Sequence, residues 1–436
     1  MPLINDGQAH IWNGAERTWI PADVGFSGGV VTDVRYASLA AAISAIGSAI
    51  TTLRITTPNF SDGNANNAVP STLTLEFTGV GSLSLTTGKT TTINSDNSNW
   101  PRRQIFVNAL SGQGTVVLQE RAYPEWWINN TTPGTTDMAA AVNAADASVC
   151  SGALAPDGVS TAAQGRVIFA NTTYRLNSTV TYRGAPWIGD GINNTLLDFR
   201  GSTYAIDALG TSVARKRLSL SDFTLTGGNA SAGTKALKLG WNHRSYAACR
   251  RVQIDHFPAD GVYFADSTAD MIFYDLAVIN NATASGAGIN IDAAVSFVNQ
   301  IDFVGLQLEN NGQVSSGLGG GIDINVAGVA EKWNFFGGLW QGNKGDAEAR
   351  FNNGVAITVD GVHIESGLAA SGAVNGVIFA GQSTGIVIVP KCNADATHGG
   401  AAIVAKNTSI ISIADPVIHS NWPTFFDLHD TATVRL

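Results

Sequence analysis

A short apolar strand that ends in a polar residue recurs along residues 218–431, and this repeat constrains the fold more than any other feature. The strand ends lie about 27 residues apart, with gaps of 25, 29, 32, 24, 28 and 26 residues. Such a period is typical of a solenoid, in which one supersecondary unit is stacked many times. With one position added upstream, the polar strand ends are Thr226, Asp255, Asn280, Glu309, Gln341, Glu365, Asn393 and His419.

Most repeats also contain a second strand, which follows a turn rich in glycine or asparagine, as in 261–266 (GVYFAD) and 288–292 (GINID). Both strands alternate apolar and polar residues, so alternate side chains face inward and outward. No segment of helical length separates the strands, which excludes helical and leucine-rich solenoids. The sequence therefore predicts an all-β chain that folds as a parallel β-helix, with coils stacked about 4.8 Å apart.

Three segments are expected along the chain. We interpret residues 1–30 as a docking segment for a partner or as a simple tail. Residues 31–120 are either a small β module or early solenoid turns, and they open with an alanine-rich helix at 38–50 that has Ser38 as its N-cap. Residues 121–436 form the β-helix domain, with its regular coils in 218–431.

Composition excludes several classes of function. The net charge of −9 argues against nucleic acid or an anionic membrane as a partner. The N-terminus has no signal-peptide pattern and no run of 18 apolar residues occurs, so we expect synthesis in a cytoplasm and no membrane span. Three cysteines without ligand spacing, Cys150, Cys249 and Cys392, predict neither a metal nor another cofactor.

A second alanine-rich helix is expected at 135–149, and a strand–turn–strand pattern follows at 165–199. This series resembles the opening of the pectate-lyase-like β-helix domain of phage tailspikes and related polysaccharide-active proteins. The loop NNTTPG stands where the family has Gly-Asp-Gly, and ANTTY stands where it has Pro-Pro-Gly-Thr-Tyr. The matching positions are Thr136, Asp137, Gly165, Val167, Tyr174 and 189–191.

The resemblance covers roughly residues 120–430. It implies a right-handed, single-stranded parallel β-helix with short N-terminal helix caps. It also implies a homotrimer in the virion, attached to the phage tail or baseplate through its N-terminus and made in the host cytoplasm. The expected partner is a bacterial surface polysaccharide.

The polar strand ends contain candidate catalytic carboxylates. Equivalent positions of successive coils lie above one another, so Glu309 and Glu365 are expected two coils apart, about 9–10 Å between backbones. Inverting glycosidases need two carboxyl groups about 6.5–9.5 Å apart. Asp255 and Glu309 offer a second pair, and Asn280 and Gln341 are candidate substrate-binding amides. The alternative is a structural column whose side chains satisfy the backbone of the turns.

Three further sets are candidates. Asp292 and Asp323, preceded by Asp266, are expected to point outward from adjacent coils and to share a proton, or else to be surface charge. Trp333 is expected to be exposed, where its ring could stack on a sugar. A basic cluster could begin lyase chemistry, which needs a cation and a base, or could be a solvated turn. It contains His243, Arg244 and Arg250.

Three functions stay open from the sequence. The first is a tailspike or tail-fibre protein that binds a host glycan and cleaves it as a glycoside hydrolase. The second is a non-catalytic structural or receptor-binding rod. The third is a polysaccharide lyase.

Overall fold

The computed structural model describes residues 10–13, 18–21, 29–154, 161–211, 215–313, 319–366, 375–388, 391–394, 400–414, 417–418 and 424–435. The described part is a parallel β-solenoid of about 13 turns with two short α-helices, so the expected fold class is confirmed. The chain divides into two compact units, Met1–Glu120 and Arg121–Leu436. Among the described residues, none of the helices has the length and hydrophobicity needed to cross a membrane.

The first unit contains three parallel ladders of three strands each, so solenoid turns begin well before residue 120. One helix, Leu39–Ile46, follows a 3-10 turn at Asp33–Arg35, and the Ser38 hydroxyl caps it by accepting from Ala41 N at 3.2 Å. His10–Asn13 and Thr18–Pro21 pair antiparallel. The ladders are Gly29–Thr32, Thr51–Ile55 and Leu73–Phe77; Phe60–Ser61, Leu83–Ser84 and Phe106–Val107; Asn67–Val69, Thr90–Ile93 and Thr115–Leu118.

The second unit opens with a packed N-terminal cap. Trp126, in the 3-10 helix Pro124–Trp126, and Trp127 after it are buried, and their rings pack together at a centroid distance of 6.5 Å. The helix Ala139–Val149 begins later than the expected residue 135. A hairpin of Cys150–Leu154 and Thr161–Ala163 follows it.

In the described part of this unit, one sheet of 26 strands forms the coils, and strands of successive coils pair parallel. Its strands are Arg121–Ala122, Arg166–Ile168, Thr173–Leu176, Val180–Thr181, Trp187–Ile188, Leu196–Phe199, Tyr204–Leu209, Leu220–Thr226, Lys235–Gly240, His243–Asp255, Val262–Phe264, Thr268–Ile279, Ile289–Ile291, Phe297–Glu309, Gly319–Gln341, Ala347–Val355, Ile357–Asp360, His363–Ser366, Asn375–Ala380, Thr384–Ile388, Lys391–Ala394, Ala401–Ala405, Ile410–Ala414, Val417–Ile418, Thr424–Leu428 and Thr433–Arg435.

Each regular coil has three faces, which we define by register. The first face carries the outward column Lys238, Tyr263, Asn290, Asp323 and Arg350. The second face carries Arg250, Tyr274, Val304, Phe336 and Asp360. The third face carries Asp255, Ile279, Glu309, Gln341 and Glu365.

Left-handed corner residues turn the chain from one face to the next. The corners that follow the third face include Asn280 and Asn310, with φ of 56° and 54°. Asparagine tolerates this conformation better than most residues. The corner between the second and third faces is glycine in three coils, at Gly305, Gly337 and Gly361.

The interior of the coils is held by stacked rings. Phe273, Phe303 and Phe335 occupy one inward column, with ring centroids 4.8 and 5.2 Å apart. Offset or parallel ring pairs of this kind add to the stabilisation from burial, by about 0.5–1.5 kcal/mol each. Register is fixed as a result, because a slip by one residue would turn the rings toward solvent.

Candidate functional site

The outward column of the third face is the centre of the candidate site. The register pairs Glu309 with Gln341 and Gln341 with Glu365. Glu309 and Glu365 therefore lie two coils apart on one column, about 9.6 Å between backbones. Asp255 lies two coils before Glu309, with Ile279 between them.

Asn280 is not part of this column, contrary to the prediction from the strand-end pattern. Ile279 takes the outward position, and Asn280 is the left-handed corner residue that follows it. The prediction required every strand to end on a polar residue, whereas this strand ends on the apolar Ile279. Asn393 continues the column after Glu365, whereas His419 lies outside the described residues.

Each carboxylate of the column has a polar partner two residues earlier on the same face. The Gln253 amide donates to Asp255 Oδ2 at 3.0 Å, and the Gln307 amide donates to Glu309 Oε1. His363 Nε2 lies 3.7 Å from Glu365 Oε2. We call this surface the polar strip. It consists of Gln253, Asp255, Gln307, Glu309, Gln341, His363 and Glu365.

Exposure differs along the polar strip. The Glu365 side chain is 39% exposed, whereas that of Asp255 is 15% exposed and also lies 3.4 Å from His256 Nδ1. Glu309 is half-buried. A ligand that lies along the strip can therefore reach Glu365 more readily than Asp255.

Asp323 and Asp292 do not form an outward pair. Asp323 aligns with Asn290, and its carboxylate is 4% exposed and held by Arg350 through contacts of 2.6 and 3.0 Å. Asp292 lies beyond the end of the strand Ile289–Ile291, where it accepts the hydroxyl of Tyr263. This hydrogen bond, helped by the backbone N–H of Ala294, lowers the pKa of Asp292.

The surroundings of Tyr263 form an ionic cluster on the first face. Lys235 Nζ lies 3.1 Å from the Tyr263 ring centroid and 2.8 Å from Asp260 Oδ2. Burial, then the hydrogen bond to Asp292, raises the pKa of Tyr263, so its phenol stays protonated near neutral pH. The Tyr204 ring is nearly parallel to that of Tyr263, at 6.3 Å. These contacts link four successive coils and leave the carboxylates of Asp260 and Asp292 occupied.

Trp333 is fully buried, so the expectation that it is exposed is wrong. Its indole N–H donates to Val298 O at 2.9 Å, and its ring packs against Phe264 and Phe303. The run 333–336 (WNFF) alternates, which places Trp333 and Phe335 inside and Phe336 outside. The ring is therefore a core residue and offers no face to a sugar.

The basic cluster is only partly described. The side chains of His243 and Arg244 lie outside the described residues. Arg250 is exposed on the second face, in register with Ser221 and Tyr274. Its neighbour Arg251 is paired with Asp222, at 2.5 Å.

Sequence reasoning missed a buried asparagine ladder at the corner that follows the third face. Asn281, Asn311 and Asn343 are 2% exposed or less, and each Oδ1 accepts a backbone N–H from the preceding coil. Their amide groups donate to carbonyl groups of the preceding coil, namely Ile254, Val278 and Leu308. The signal was an asparagine two residues after the strand end in three successive repeats.

The described residues offer no group of three or more His, Cys, Asp or Glu side chains that could hold a metal ion. The polar strip presents carboxylates, amides and the imidazole of His363. Such groups can bind hydroxyl groups and can transfer protons.

No protein-family model and no curated protein matches this chain. Among solved structures, ORF18 of Geobacillus virus E2 is 14% identical with a TM-score of 0.47, over 71% of this chain and 61% of that one. Tailspike protein 2 of an Escherichia coli O157:H7 bacteriophage is 13% identical with a TM-score of 0.49, over 72% and 42%. Its enzymatically active domain aligns at 13% identity and a TM-score of 0.47, over 72% and 47%.

Two of these three structures are of a phage tailspike, the kind of protein that residues 135–199 resemble in sequence. The chain spans between 42% and 61% of the length of the three matched chains. Similarity at this level carries no argument about activity, so the function proposed below depends on this chain's own residues.

Proposed function

We propose that this chain is a phage tailspike or tail-fibre protein that binds a bacterial surface polysaccharide along the polar strip and hydrolyses it. The observation that carries the proposal is the alignment of Glu309 and Glu365 on one solvent-facing column, two coils apart. The resemblance of residues 135–199 to tailspikes supports the biological setting.

Hydrolysis uses the two carboxyl groups in different protonation states. One protonates the glycosidic oxygen, and the other, as a carboxylate, activates a water molecule on the opposite side of the sugar. An inverting enzyme needs about 6.5–9.5 Å between the groups. Two coil steps give about 9.6 Å between backbones, and side chains that lean together shorten this separation.

Binding uses the amides beside the carboxylates. Gln307 with Glu309 places an amide and a carboxylate side by side, and Gln341 lies in the coil between the two glutamates. Amides both donate and accept, so each such pair can bind adjacent sugar hydroxyl groups. A polymer that runs along the solenoid would meet this arrangement repeatedly.

The biological setting follows from the resemblance. We propose a homotrimer in the phage tail, joined to the tail or baseplate through residues 1–30. Sedimentation of the purified chain tests the trimer, and deletion of residues 1–30 tests attachment to the particle.

The activity is tested with Glu309→Gln and Glu365→Gln on a polysaccharide that the wild type depolymerises. Each variant is expected to lose about 10²–10⁴-fold in the rate of reducing-end formation, the usual contribution of an acid–base group. Asp302→Asn is the matched control, because Asp302 is a carboxylate on the second face that accepts from Asn334 at 2.7 Å. Full activity in both glutamine variants would remove this pair from the mechanism.

A non-catalytic receptor-binding rod is the second candidate, favoured by the fact that Asp255 and Glu309 already accept hydrogen bonds from neighbouring amides. Binding to a glycan without any product would establish it. An unsaturated product that requires the exposed Arg250 would establish a polysaccharide lyase instead.

A further inference from the structure

Phe336 has an exposed ring that the hydrolytic pair does not explain. Its side chain is 41% exposed, and no other aromatic ring among the described side chains is as exposed. Leaving a phenylalanine in water forgoes up to about 1.5–3 kcal/mol relative to full burial. The neighbouring Phe335 is fully buried, so strand alternation directs the Phe336 ring outward.

The position of Phe336 relates it to the polar strip. The register pairs Val304, Phe336 and Asp360 on the second face, and their strands lead directly into those of Glu309, Gln341 and Glu365. Phe336 therefore lies in the coil between those of the two glutamates. Its ring stands at the end of the second face, next to the polar strip.

The corner between Phe336 and the strip carries no side chain in three coils. Its residues are Gly305, Gly337 and Gly361, and a Cβ added at Gly337 or Gly361 would meet no atom within 4 Å. Earlier coils place Asp222, Arg251 and Asp275 at the same corner, also at positive φ. The fold thus accepts side chains here, and the corner itself carries none in the coils that contain Glu309, Gln341 and Glu365.

We propose that Phe336 is a glycan-binding residue, on whose ring one pyranose of the polysaccharide stacks while the chain crosses the glycine corner to the polar strip. This inference depends on the proposed function. A pyranose has an apolar face of C–H groups that fits an aromatic ring, and its hydroxyl edge then points toward Gln307 and Glu309. The apolar contact and the polar contacts thereby act on one ligand.

The test measures affinity for the array-immobilised bacterial polysaccharide that the wild type binds most tightly. Phe336→Ala is expected to weaken binding about tenfold, and Phe336→Trp is expected to retain it, since stacking contributes about 0.5–1.5 kcal/mol. Ile386→Ala is the control for Phe336, because Ile386 is 47% exposed on the same face.

Gly337→Asn, which fills the corner with a residue that tolerates positive φ, should also weaken binding. Gly233→Asn is its control, because Gly233 has φ of 81° and a Cβ there also meets no atom within 4 Å. Thermal unfolding should shift equally in the two asparagine variants.

Unchanged binding in Phe336→Ala and Gly337→Asn, with the expected loss of rate in Glu309→Gln, would overturn this inference and leave the proposed function standing. No binding of any polysaccharide by the wild type would overturn both.

Discussion

Carboxylates occupy outward positions on two faces of the same solenoid, yet their surroundings differ. On the first face, Asp323 is paired with Arg350 and Asp260 with Lys235, and both carboxylates are nearly buried. On the third face, Glu365 is 39% exposed and has an imidazole at 3.7 Å as its neighbour. The first set braces neighbouring coils, whereas the second is open to a ligand.

The difference lies in the partners that adjacent coils supply. Arg350 follows Asp323 on its column, so a cation is directly above the carboxylate. Gln341 precedes Glu365 on its column, so the neighbour there is an amide instead of a cation. Residue type alone does not distinguish a carboxylate that holds neighbouring coils together from one that can bind a ligand. The distinction depends on which residue of the next coil is in register with it.

The largest expected effect is on the free energy of unfolding when the ion pair between Asp323 and Arg350 is broken. Asp323→Ala leaves the Arg350 guanidinium without its carboxylate at a site where Arg350 is 18% exposed. Removing one partner of a buried ion pair typically costs about 3–5 kcal/mol. Urea unfolding of the variant and the wild type measures this loss in the free energy of unfolding. A change below about 1 kcal/mol would contradict the distinction between the two faces.

Asp146, a fully buried carboxylate in the N-terminal cap, should make the free energy of unfolding depend on pH. Burial raises the pKa of Asp146 from 3.8 to about 6, against opposing contacts from Trp187, Arg183 and Lys216. The folded state therefore binds this proton more tightly than the unfolded state. The resulting stability is complete below pH 3.8 and is lost as the pH rises through about 6.

The size of this effect follows from the difference between the two pKa values, which corresponds to about 3 kcal/mol. The free energy of unfolding, measured from pH 4 to pH 7.5, should fall by about this amount more in the wild type than in Asp146→Asn. Parallel pH profiles of the two proteins would show that Asp146 does not titrate in this range.

A substitution at Asn311 tests whether the buried asparagine ladder stabilises the coils. Its side chain accepts from Asn281 N at 2.9 Å and donates to Val278 O at 2.7 Å while fully buried. Asn311→Ala leaves these backbone groups unpaired, at a cost of about 1–3 kcal/mol each in the free energy of unfolding. Urea unfolding measures the loss, and stability equal to that of the wild type would mean that the ladder does not hold the coils together.

The smallest expected effect on the free energy of unfolding is that of a substitution at Glu365 on the third face. Glu365→Gln keeps the shape of the side chain and removes a charge from a side chain that is 39% exposed and has no buried cation as its partner among the described residues, so the free energy of unfolding should change by less than about 0.5 kcal/mol. The same urea experiment measures it beside Asp323→Ala. A loss comparable to that of Asp323→Ala would identify Glu365 as a brace and would remove the reason to place a ligand there.

The sequence was sufficient for the repeat and for most of the outward column. Asp255, Glu309, Gln341 and Glu365 align as their spacing predicts, because strand ends recur once per coil. The error at Asn280 arose because an apolar residue took the outward position. Left-handed corners accept asparagine so readily that Asn280 could serve as either element.

The orientation of the aromatic residues and the ion pairs between coils could not be predicted from the sequence. Whether Trp333 or Phe336 faces inward depends on the phase of one strand, and 333–336 (WNFF) is apolar at three of its four positions. The pairing of Asp323 with Arg350 depends on which residues of coils 27 positions apart become neighbours. Variable turn lengths between strands hide that register from the sequence.

The location of a bound glycan is the most direct test of the proposed binding site on the polar strip. The measurement is a crystal structure of the Glu365→Gln variant with an oligosaccharide of the polysaccharide that the wild type binds. We expect a sugar chain that contacts Gln307, Glu309 and residue 365, with one ring on Phe336. A chain bound instead at Tyr204 and Tyr263 on the first face, without contact to the polar strip, would contradict the proposed site.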